Sequence, residues 1–265
     1  MYGTAWKEDR TEELTRLALD SGFSGIDTAN QRKHYVEAAV GDAVAAALAG
    51  GRPRSGLFLQ TKFTFEGGQD QRLPYDPAAP VAVQVEQSFA SSLAHLHTDY
   101  LDSYVLHGPT SRVGLKPADR EAWRAMEALA RAGKTRLLGV SNVSLEQLRA
   151  LVEFAEVKPA FVQNRCFARN GWDRAVREFA GAHDCVYQGF SLLTANRQEL
   201  AAPAVTRLVR ETGRSLAEIV FRFALQIGIL PLTGTTRVEH MLLDLGCEDF
   251  ELEPKNQALL ESIAR

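Results

Sequence analysis

The chain has 265 residues, of which 45% are hydrophobic and 24% charged, and its formal net charge at pH 7 is −3. This composition is ordinary for a globular protein with a substantial core, and the small net charge gives no indication of a nucleic-acid-binding or membrane-binding surface. No apolar run approaches the roughly 18 residues that a transmembrane helix needs.

Strand-like apolar segments alternate with longer helix-like segments along the chain. The strand candidates are residues 1–4, 24–27, 57–62, 103–107, 136–141, 161–163, 185–191 and 229–233. The helix candidates are residues 8–21, 36–49, 79–95, 120–132, 145–154, 174–182, 197–212 and 216–226. Strands that alternate with helices pair in parallel through right-handed crossovers.

About eight such units in roughly 250 residues is the size of a (β/α)8 TIM barrel. An open doubly wound sheet is the structural alternative. The lack of a Gly-x-Gly-x-x-Gly motif after an early strand counts against that alternative. Because no linker, long repeat or low-complexity tract interrupts the pattern, the sequence predicts one domain over residues 1–265.

The cysteines and the start of the chain bear on the cellular location. Cys166, Cys185 and Cys247 are scattered, without metal-ligand spacing. The first residues form neither a basic nor an apolar signal region. Both features favour reduced thiols in a cytoplasmic protein.

Charged side chains close three of the predicted strands. Asp27, Lys62 and His107 each end an apolar run, and Tyr35 follows the first run across a short loop. Burying unpaired charge is costly, and the C-terminal ends of barrel strands are where chemistry gathers. Polar residues at later strand ends, such as Ser141, are also explained as helix N-caps.

These four side chains suit the reduction of a carbonyl group, which needs a hydride at carbon and a proton at oxygen. We expect the Lys62 ammonium to lower the pKa of Tyr35, Asp27 to keep that lysine charged, and His107 to orient the carbonyl oxygen. No side chain supplies a hydride, so a redox cofactor is required. No metal-ligand spacing is present, and no metal is expected.

The motifs around these residues resemble the aldo-keto reductase family over nearly the whole chain and in the family's order. They include the aspartate motif at residues 22–29, the tyrosine motif at 35–41, Lys62, the histidine motif at 99–109, the stretch 122–142, and residues 159–163. The resemblance implies a (β/α)8 barrel that binds a nicotinamide cofactor, usually NADPH, and acts as a monomer on a small carbonyl or alcohol substrate. Asp27, Tyr35, Lys62 and His107 would be the catalytic set, with Tyr35 as the acid.

The resemblance also implies which residues contact the cofactor and the substrate. In order along the cofactor from nicotinamide to adenosine they would be Ser141, Asn142, Gln163, Phe190, Ser191, Leu193, Thr233, Gly234, Thr235, Arg237, His240 and Asp244. Trp6 would be a wall of the substrate pocket.

Two departures from the family pattern affect the site. Tyr35 lies a few residues later than usual, so the loop at residues 30–34 carries an insertion that either bulges and returns Tyr35 to its place or displaces the acid. Glu37 and Val40-Gly41 stay in step with Tyr35, which favours the bulge. At the cofactor's 2′-phosphate, Leu232 replaces a lysine that the family often has, and Arg237 is the candidate to serve instead. The resemblance therefore predicts NADP(H), with NAD(H) as the alternative.

Three further expectations follow. The family's N-terminal hairpin and long C-terminal loop have no counterpart here, so we expect an open substrate pocket. The displaced tyrosine motivates a rival function, a non-catalytic nicotinamide-cofactor-binding regulatory protein of the same fold. A lyase or isomerase that uses Lys62 as a Schiff-base amine is a third possibility.

Overall fold

The computed structural model describes residues 1–264, over which eight strands alternate with helices. The strands are β1 (Tyr2–Gly3), β2 (Gly25–Asp27), β3 (Phe58–Phe63), β4 (Leu101–Leu106), β5 (Thr135–Ser141), β6 (Phe161–Arg165), β7 (Val186–Phe190) and β8 (Ile229–Pro231). Their order in the sheet is their order along the chain. Neighbouring strands are thus connected by crossovers, which is the βα repeat predicted from the sequence.

The helices fill the segments between the strands. They are α1 (Thr11–Ser21), α2 (Glu37–Ala49), α3 (Val81–His95), α4 (Pro117–Arg131), α5 (Leu145–Phe154), α6 (Arg174–Gly181), α7 (Arg197–Leu200), α8 (Pro203–Thr212), α9 (Leu216–Gln226), α10 (Val238–Leu245) and α11 (Pro254–Glu261). All predicted strands occur, with ends that differ by up to two residues.

The helix predicted over residues 197–212 is wrong, because two helices occupy this segment. Helix α7 ends at Leu200, and α8 begins at Pro203. A proline cannot continue a helix, since it lacks an N–H and disfavours the helical conformation of the preceding residue. At the first position of a new helix, neither the missing N–H nor the restricted conformation of the preceding residue destabilises the helix. The helices α10 and α11 are not among the predicted elements.

The chain divides into two compact units after Val162. In the first unit, β1 to β5 pair in parallel, with Asp27 opposite Gln60 and Lys62 opposite Val105. In the second, β7 pairs in parallel with β8. The single domain over residues 1–265 stays a prediction.

Strand β4 runs through the core of the first unit and is buried along its whole length. Such burial is typical of parallel strands covered on both faces. Its one charged residue, Asp102, accepts hydrogen bonds from Arg54 at 2.8 Å, from Arg136 at 3.1 Å and from the Leu59 backbone N–H at 3.0 Å. The carboxylate is therefore paired, as a buried charge must be.

The second unit packs around Trp172, which is fully buried. Its ring lies 5.1 Å from the ring of Phe223 on α9, and its indole N–H donates to the carbonyl of Leu260 on α11 at 2.8 Å. A buried tryptophan usually finds such an acceptor. This contact attaches the last helix to the core of its unit.

Gly41 permits the close approach of α2 to the end of α3. A β-carbon at this position would lie 1.8 Å from the carbonyl oxygen of His95, which is backbone and cannot rotate away. We expect Gly41→Ala to lower the free energy of unfolding by at least about 1–3 kcal/mol, the usual cost of overpacking. Denaturant unfolding measures this, with Gly181→Ala as control because a β-carbon there meets no atom within 4 Å. Equal stability of the two variants would contradict the packing argument.

Three properties of residues 1–264 limit the chemistry of the fold. No helix in this range is both long and apolar enough to cross a membrane. No group of three or more histidine, cysteine, aspartate or glutamate side chains in this range is placed to hold a metal ion. The three cysteines are free and buried, and burial raises the pKa of Cys166 and Cys185 to about 12. Thiols with a raised pKa are poor nucleophiles.

Candidate active site

Lys62 is the centre of the site in the first unit, and its side chain is completely buried. Its Nζ donates to both carboxylate oxygens of Asp27 at 2.7 Å and to the carbonyl of Thr28 at 2.8 Å. An ammonium group has three N–H donors, so all three are used. Burial lowers the pKa of Lys62, and the attraction of Asp27 opposes that change. A buried ion pair with every donor satisfied is the arrangement in which such charges are tolerated.

The parallel register brings the strand-ending residues to one edge of the sheet. Asp27 is the last residue of β2, and its carboxylate also accepts from Gln60 Nε2 on β3 at 2.7 Å. Lys62 follows two residues further along β3 and pairs with Val105 on β4, two residues before His107. The carboxyl ends of these parallel strands therefore hold all three predicted residues.

The inserted loop returns Tyr35 to this cluster. The centroid of its ring lies 5.4 Å from Lys62 Nζ and 6.0 Å from the centroid of the His107 ring, which it meets edge-on. The N–H groups of His34 and Tyr35 both donate to the carbonyl of Gln31, at 3.1 and 3.0 Å, which closes the loop into a turn. Of the two paths expected for the insertion, the bulge that brings Tyr35 back is the one observed.

Contacts distant in sequence fix this loop. Asn30 Nδ2 donates to the Ser88 carbonyl at 3.1 Å and to the Ser92 hydroxyl at 3.2 Å, both on α3. Gln31 Nε2 donates to the Gly68 carbonyl at 2.6 Å. Asn30 and Gln31 are themselves buried. The extra residues are thus an ordered part of the site.

Tyr35 is held in its protonated form. Burial and the negative charge of Asp27 raise the pKa of its phenol well above the ordinary value. This net shift is opposite to the lowering expected from Lys62, because burial of the phenol is the largest effect on its pKa. The lysine directs its three donors at Asp27 and Thr28, so it makes no hydrogen bond to the phenol. The Tyr35 hydroxyl makes no hydrogen bond with any residue in the range 1–264. It is therefore a proton-bearing donor without a protein acceptor.

His107 directly follows β4 and is partly buried. Its Nδ1 lies 2.6 Å from the hydroxyl oxygen of Thr64. Burial, with a smaller effect from the positive charge of Lys62, lowers the pKa of His107 to about 3. The imidazole is therefore neutral near pH 7, and it can donate one hydrogen bond through whichever nitrogen carries the proton.

The buried carboxylate of Glu37, for which the sequence predicts no role, lies near Lys62. Glu37, at the start of α2, bonds to the hydroxyl of Thr61 through one oxygen and to His95 Nδ1 through the other, at 2.9 Å. The hydrogen bond to Glu37 raises the pKa of His95, and the charge of Glu37 partly offsets the lowering of the Lys62 pKa. In the sequence, the feature that points to this residue is its position shortly after Tyr35. The residues to which Glu37 bonds, Thr61 and His95, lie 24 and 58 residues further along the chain, so the sequence does not reveal these contacts.

Ser141 and Asn142 stand at the end of β5 in the same unit. Ser141 is buried, whereas Asn142 is exposed and has a left-handed backbone with φ of 55°. Asn142 Nδ2 donates to the His107 carbonyl at 2.8 Å and to the Ser141 hydroxyl at 3.1 Å. Its side-chain carbonyl has no hydrogen-bond partner within residues 1–264, so it can accept a bond from a ligand.

The other predicted cofactor residues belong to the second unit. Gln163 on β6 is buried and donates to Gln188 at 2.9 Å. Phe190 ends β7, and Ser191 follows with a left-handed φ of 59°. Phe190, Ser191 and Leu193 each keep part of their surface exposed. The end of β7 therefore presents an aromatic face and a bent backbone.

The segment after β8 contains a buried hydrogen bond between Thr233 and Asp244 and two exposed basic side chains, Arg237 and His240. Thr233 donates its hydroxyl proton to Asp244 at 2.6 Å, and burial raises the pKa of Asp244 to about 6. Asp244 therefore points into its own unit, at Thr233. Gly234, Arg237 and His240 are exposed, and Thr235 is partly buried. Leu232, where the family often has a lysine, is buried.

Trp6 is 68% exposed and packs against His34 of the inserted loop, with ring centroids 3.9 Å apart and ring planes tilted by 37°. The Trp6 backbone N–H donates to the His34 carbonyl at 2.8 Å. Together with Tyr35 and Val36 the two rings line a cavity of about 380 Å³ in the first unit. The contact with Trp6 holds the His34 ring at the wall of this cavity.

Comparison with known proteins gives a consistent result. The model of the aldo/keto reductase family matches residues 2–265. An aldo-keto reductase of Mycobacterium avium (strain 104) is 30% identical over 256 residues, which cover 97% of this chain and 82% of that protein. A glyoxal reductase of Bacillus subtilis (strain 168) is 28% identical over 251 residues, covering 95% of this chain and 82% of that protein.

A solved structure is similar over the same extent. The aldo-keto reductase of the silkworm, Bombyx mori, in complex with NADPH matches with a TM-score of 0.84 and 25% identity, covering 99% of this chain and 83% of that one. Together with the strand order, this similarity confirms the predicted (β/α)8 fold class.

Proposed function

The chain belongs to the aldo/keto reductase family, and from this premise we propose that it is an NADP(H)-dependent oxidoreductase that reduces an aldehyde or ketone to an alcohol. The observation that carries the proposal is the cluster of Tyr35, Lys62, Asp27 and His107 at one sheet edge. The position of the Tyr35 ring, 5.4 Å from Lys62 Nζ, supports this catalytic role over the non-catalytic alternative.

The residues present fit a nicotinamide cofactor, which when bound would supply the hydride that no side chain can. In the first unit, the free side-chain carbonyl of Asn142 can accept from a carboxamide. In the second, Phe190 offers an aromatic face. The exposed Arg237 and His240 near the start of α10 offer donors to an anionic phosphate. The silkworm relative was solved with NADPH, which supports NADP(H) over NAD(H).

Proton delivery is the part of the reaction that this chain performs itself. Tyr35 carries a proton at neutral pH and has no protein acceptor for it, so its hydroxyl is available to the oxygen of a bound carbonyl group. Donation leaves a phenolate, whose charge the ammonium of Lys62, 5.4 Å from the ring centroid, stabilises. Asp27 holds that ammonium in place.

His107 supplies orientation in this scheme. A neutral imidazole 6.0 Å from the Tyr35 ring can donate a hydrogen bond to the same carbonyl oxygen without competing as an acid. Lys62 as a Schiff-base amine has no support, because its Nζ is fully buried and bonded three times.

Steady-state oxidation of NADPH with a panel of small aldehydes and ketones tests the proposal. The panel should include glyoxal, because a relative carries the name glyoxal reductase. We expect turnover with several small aldehydes, and faster turnover with NADPH than with NADH. Binding of NADPH without turnover of any member of the panel would favour the regulatory alternative.

The pH dependence of reduction should lack a histidine step. Because the pKa of His107 is lowered to about 3, its ring keeps one protonation state from roughly pH 6 to 8, and the raised pKa of Tyr35 keeps the phenol protonated there too. We expect kcat/KM for a neutral aldehyde to be flat across that range. A change in kcat/KM near the ordinary pKa of histidine that persists in His95→Gln would contradict the neutral state assigned to His107. A change that disappears in His95→Gln would instead be due to titration of the Glu37–His95 pair.

A further inference from the structure

Thr64 is the only described residue that bonds to the imidazole of His107. Its hydroxyl oxygen lies 2.6 Å from Nδ1, and Nε2 has no hydrogen-bond partner within residues 1–264. Thr64 directly follows β3 and is 5% exposed. None of the motifs in the sequence singles it out, because His107 is 43 residues away.

The two tautomers of His107 satisfy this buried hydroxyl unequally. If the proton is on Nε2, Nδ1 accepts the Thr64 O–H, and the only hydroxyl proton at this position is bonded. If the proton is on Nδ1, the hydroxyl oxygen accepts it, and the Thr64 proton has no acceptor among residues 1–264. A buried donor without an acceptor destabilises the state that contains it. The Nε2–H group lies on a partly exposed ring and can donate to water, whereas the Thr64 hydroxyl is buried. The environment therefore favours the tautomer with the proton on Nε2.

The surroundings of Thr64 keep its hydroxyl in this position. The Tyr75 hydroxyl donates to the Thr64 carbonyl at 2.8 Å, and Gln69 Nε2 approaches the same carbonyl at 3.4 Å. The γ-methyl of Thr64 lies so close to Gly68 that a β-carbon there would meet it at 2.7 Å. Backbone and methyl group are both held, which leaves the hydroxyl facing the imidazole.

We propose that Thr64 is a positioning residue that fixes His107 in its Nε2–H tautomer, so that the ring presents a donor to the substrate's carbonyl oxygen. The catalytic consequence rests on the proposed function, whereas the tautomer itself does not. With the other tautomer, Nε2 would present a lone pair and repel the oxygen that must accept the proton.

Nitrogen-15 NMR of histidine-labelled protein measures the tautomer without any turnover. The His107 signals are identified by their loss in His107→Gln. In the wild type and in Thr64→Ser, which keeps the hydroxyl, we expect the Nε2–H tautomer from about pH 6 to 8. In Thr64→Val, which keeps the shape, we expect a mixture of tautomers. Thr64→Ala gives the same comparison if valine prevents folding.

Kinetics supply the second readout. We expect kcat/KM for a neutral aldehyde to fall roughly ten-fold in Thr64→Val and to return to within about two-fold of wild type in Thr64→Ser. An Nδ1–H tautomer in the wild type, or an unchanged tautomer in Thr64→Val, would overturn the inference. If the wild-type protein reduces no carbonyl compound, the proposed function is refuted. If Thr64→Val of that same protein nevertheless loses the Nε2–H form, the tautomer assignment is still supported.

Discussion

Lys62→Met is expected to abolish carbonyl reduction and to lower the free energy of unfolding by about 3–5 kcal/mol, the usual cost of removing one partner of a buried ion pair. Methionine fills most of the volume of the lysine side chain, so the loss of stability and activity is due to the missing charge. Asp27 would remain 3% exposed with its charge opposed by no cation, and the Thr28 carbonyl would lose its donor. Guanidinium unfolding and steady-state NADPH oxidation measure the two effects.

Two controls separate the buried pair from lysine chemistry in general. Lys255→Met removes an exposed lysine that is paired only with the exposed Glu253, and we expect no measurable change in stability or turnover. Adding Asp27→Asn to Lys62→Met removes the unpaired charge, so part of the stability should return while activity stays absent. A Lys62→Met enzyme that is as stable and active as wild type would refute the role given to the pair.

The pairing of Asp27 with Lys62 could be predicted because it depends on strand ends. Both residues close apolar runs of the kind that form buried parallel strands, and parallel strands align their carboxyl ends. The register needed only the strand positions, which the sequence indicates to within two residues. The same argument places His107 at this edge. The fold class follows from the alternation of strands and helices for the same reason.

The sequence favours a bulge for the inserted loop, because the residues after Tyr35 keep their spacing, but it does not reveal the contacts that hold the loop. Asn30 is bonded to α3, 58 residues further along the chain, and Gln31 to Gly68. The resemblance implies that Tyr35, and not the adjacent His34, enters the site. In the structure the His34 ring packs against Trp6, and the Tyr35 ring lies beside Lys62 Nζ.

The protonation of the site was also beyond the sequence. The residue types predict a lysine that lowers the pKa of Tyr35. In the structure, burial of the phenol and the charge of Asp27 raise this pKa instead. Burial depends on the packing around the ring, which the sequence does not give. The separation of α7 from α8 before Pro203 follows from local chemistry, because a proline cannot continue a helix. The apolar spacing of residues 197–212 is nevertheless typical of one continuous helix, which is why the sequence predicts one.

Tyr35→Phe is expected to lower kcat for carbonyl reduction by roughly 10²–10⁴-fold, the contribution typical of a general acid, while NADPH binding persists. The substitution removes one oxygen atom. That oxygen bonds to no residue in the range 1–264, so the free energy of unfolding should hardly change. Stopped-flow or steady-state NADPH oxidation measures turnover, and the change of cofactor fluorescence on binding measures affinity.

The matched control is Tyr100→Phe. Tyr100 lies outside the site, with the guanidinium groups of Arg54 and Arg136 over its ring at 4.0 and 4.5 Å, and phenylalanine keeps that aromatic face. We expect turnover and stability close to wild type. His34→Ala should also retain turnover, because the His34 ring packs against Trp6 and not against Lys62. If Tyr35→Phe reduces aldehydes at the wild-type rate, the proton comes from another donor. Loss of turnover in His34→Ala would then identify the neighbouring imidazole as that donor.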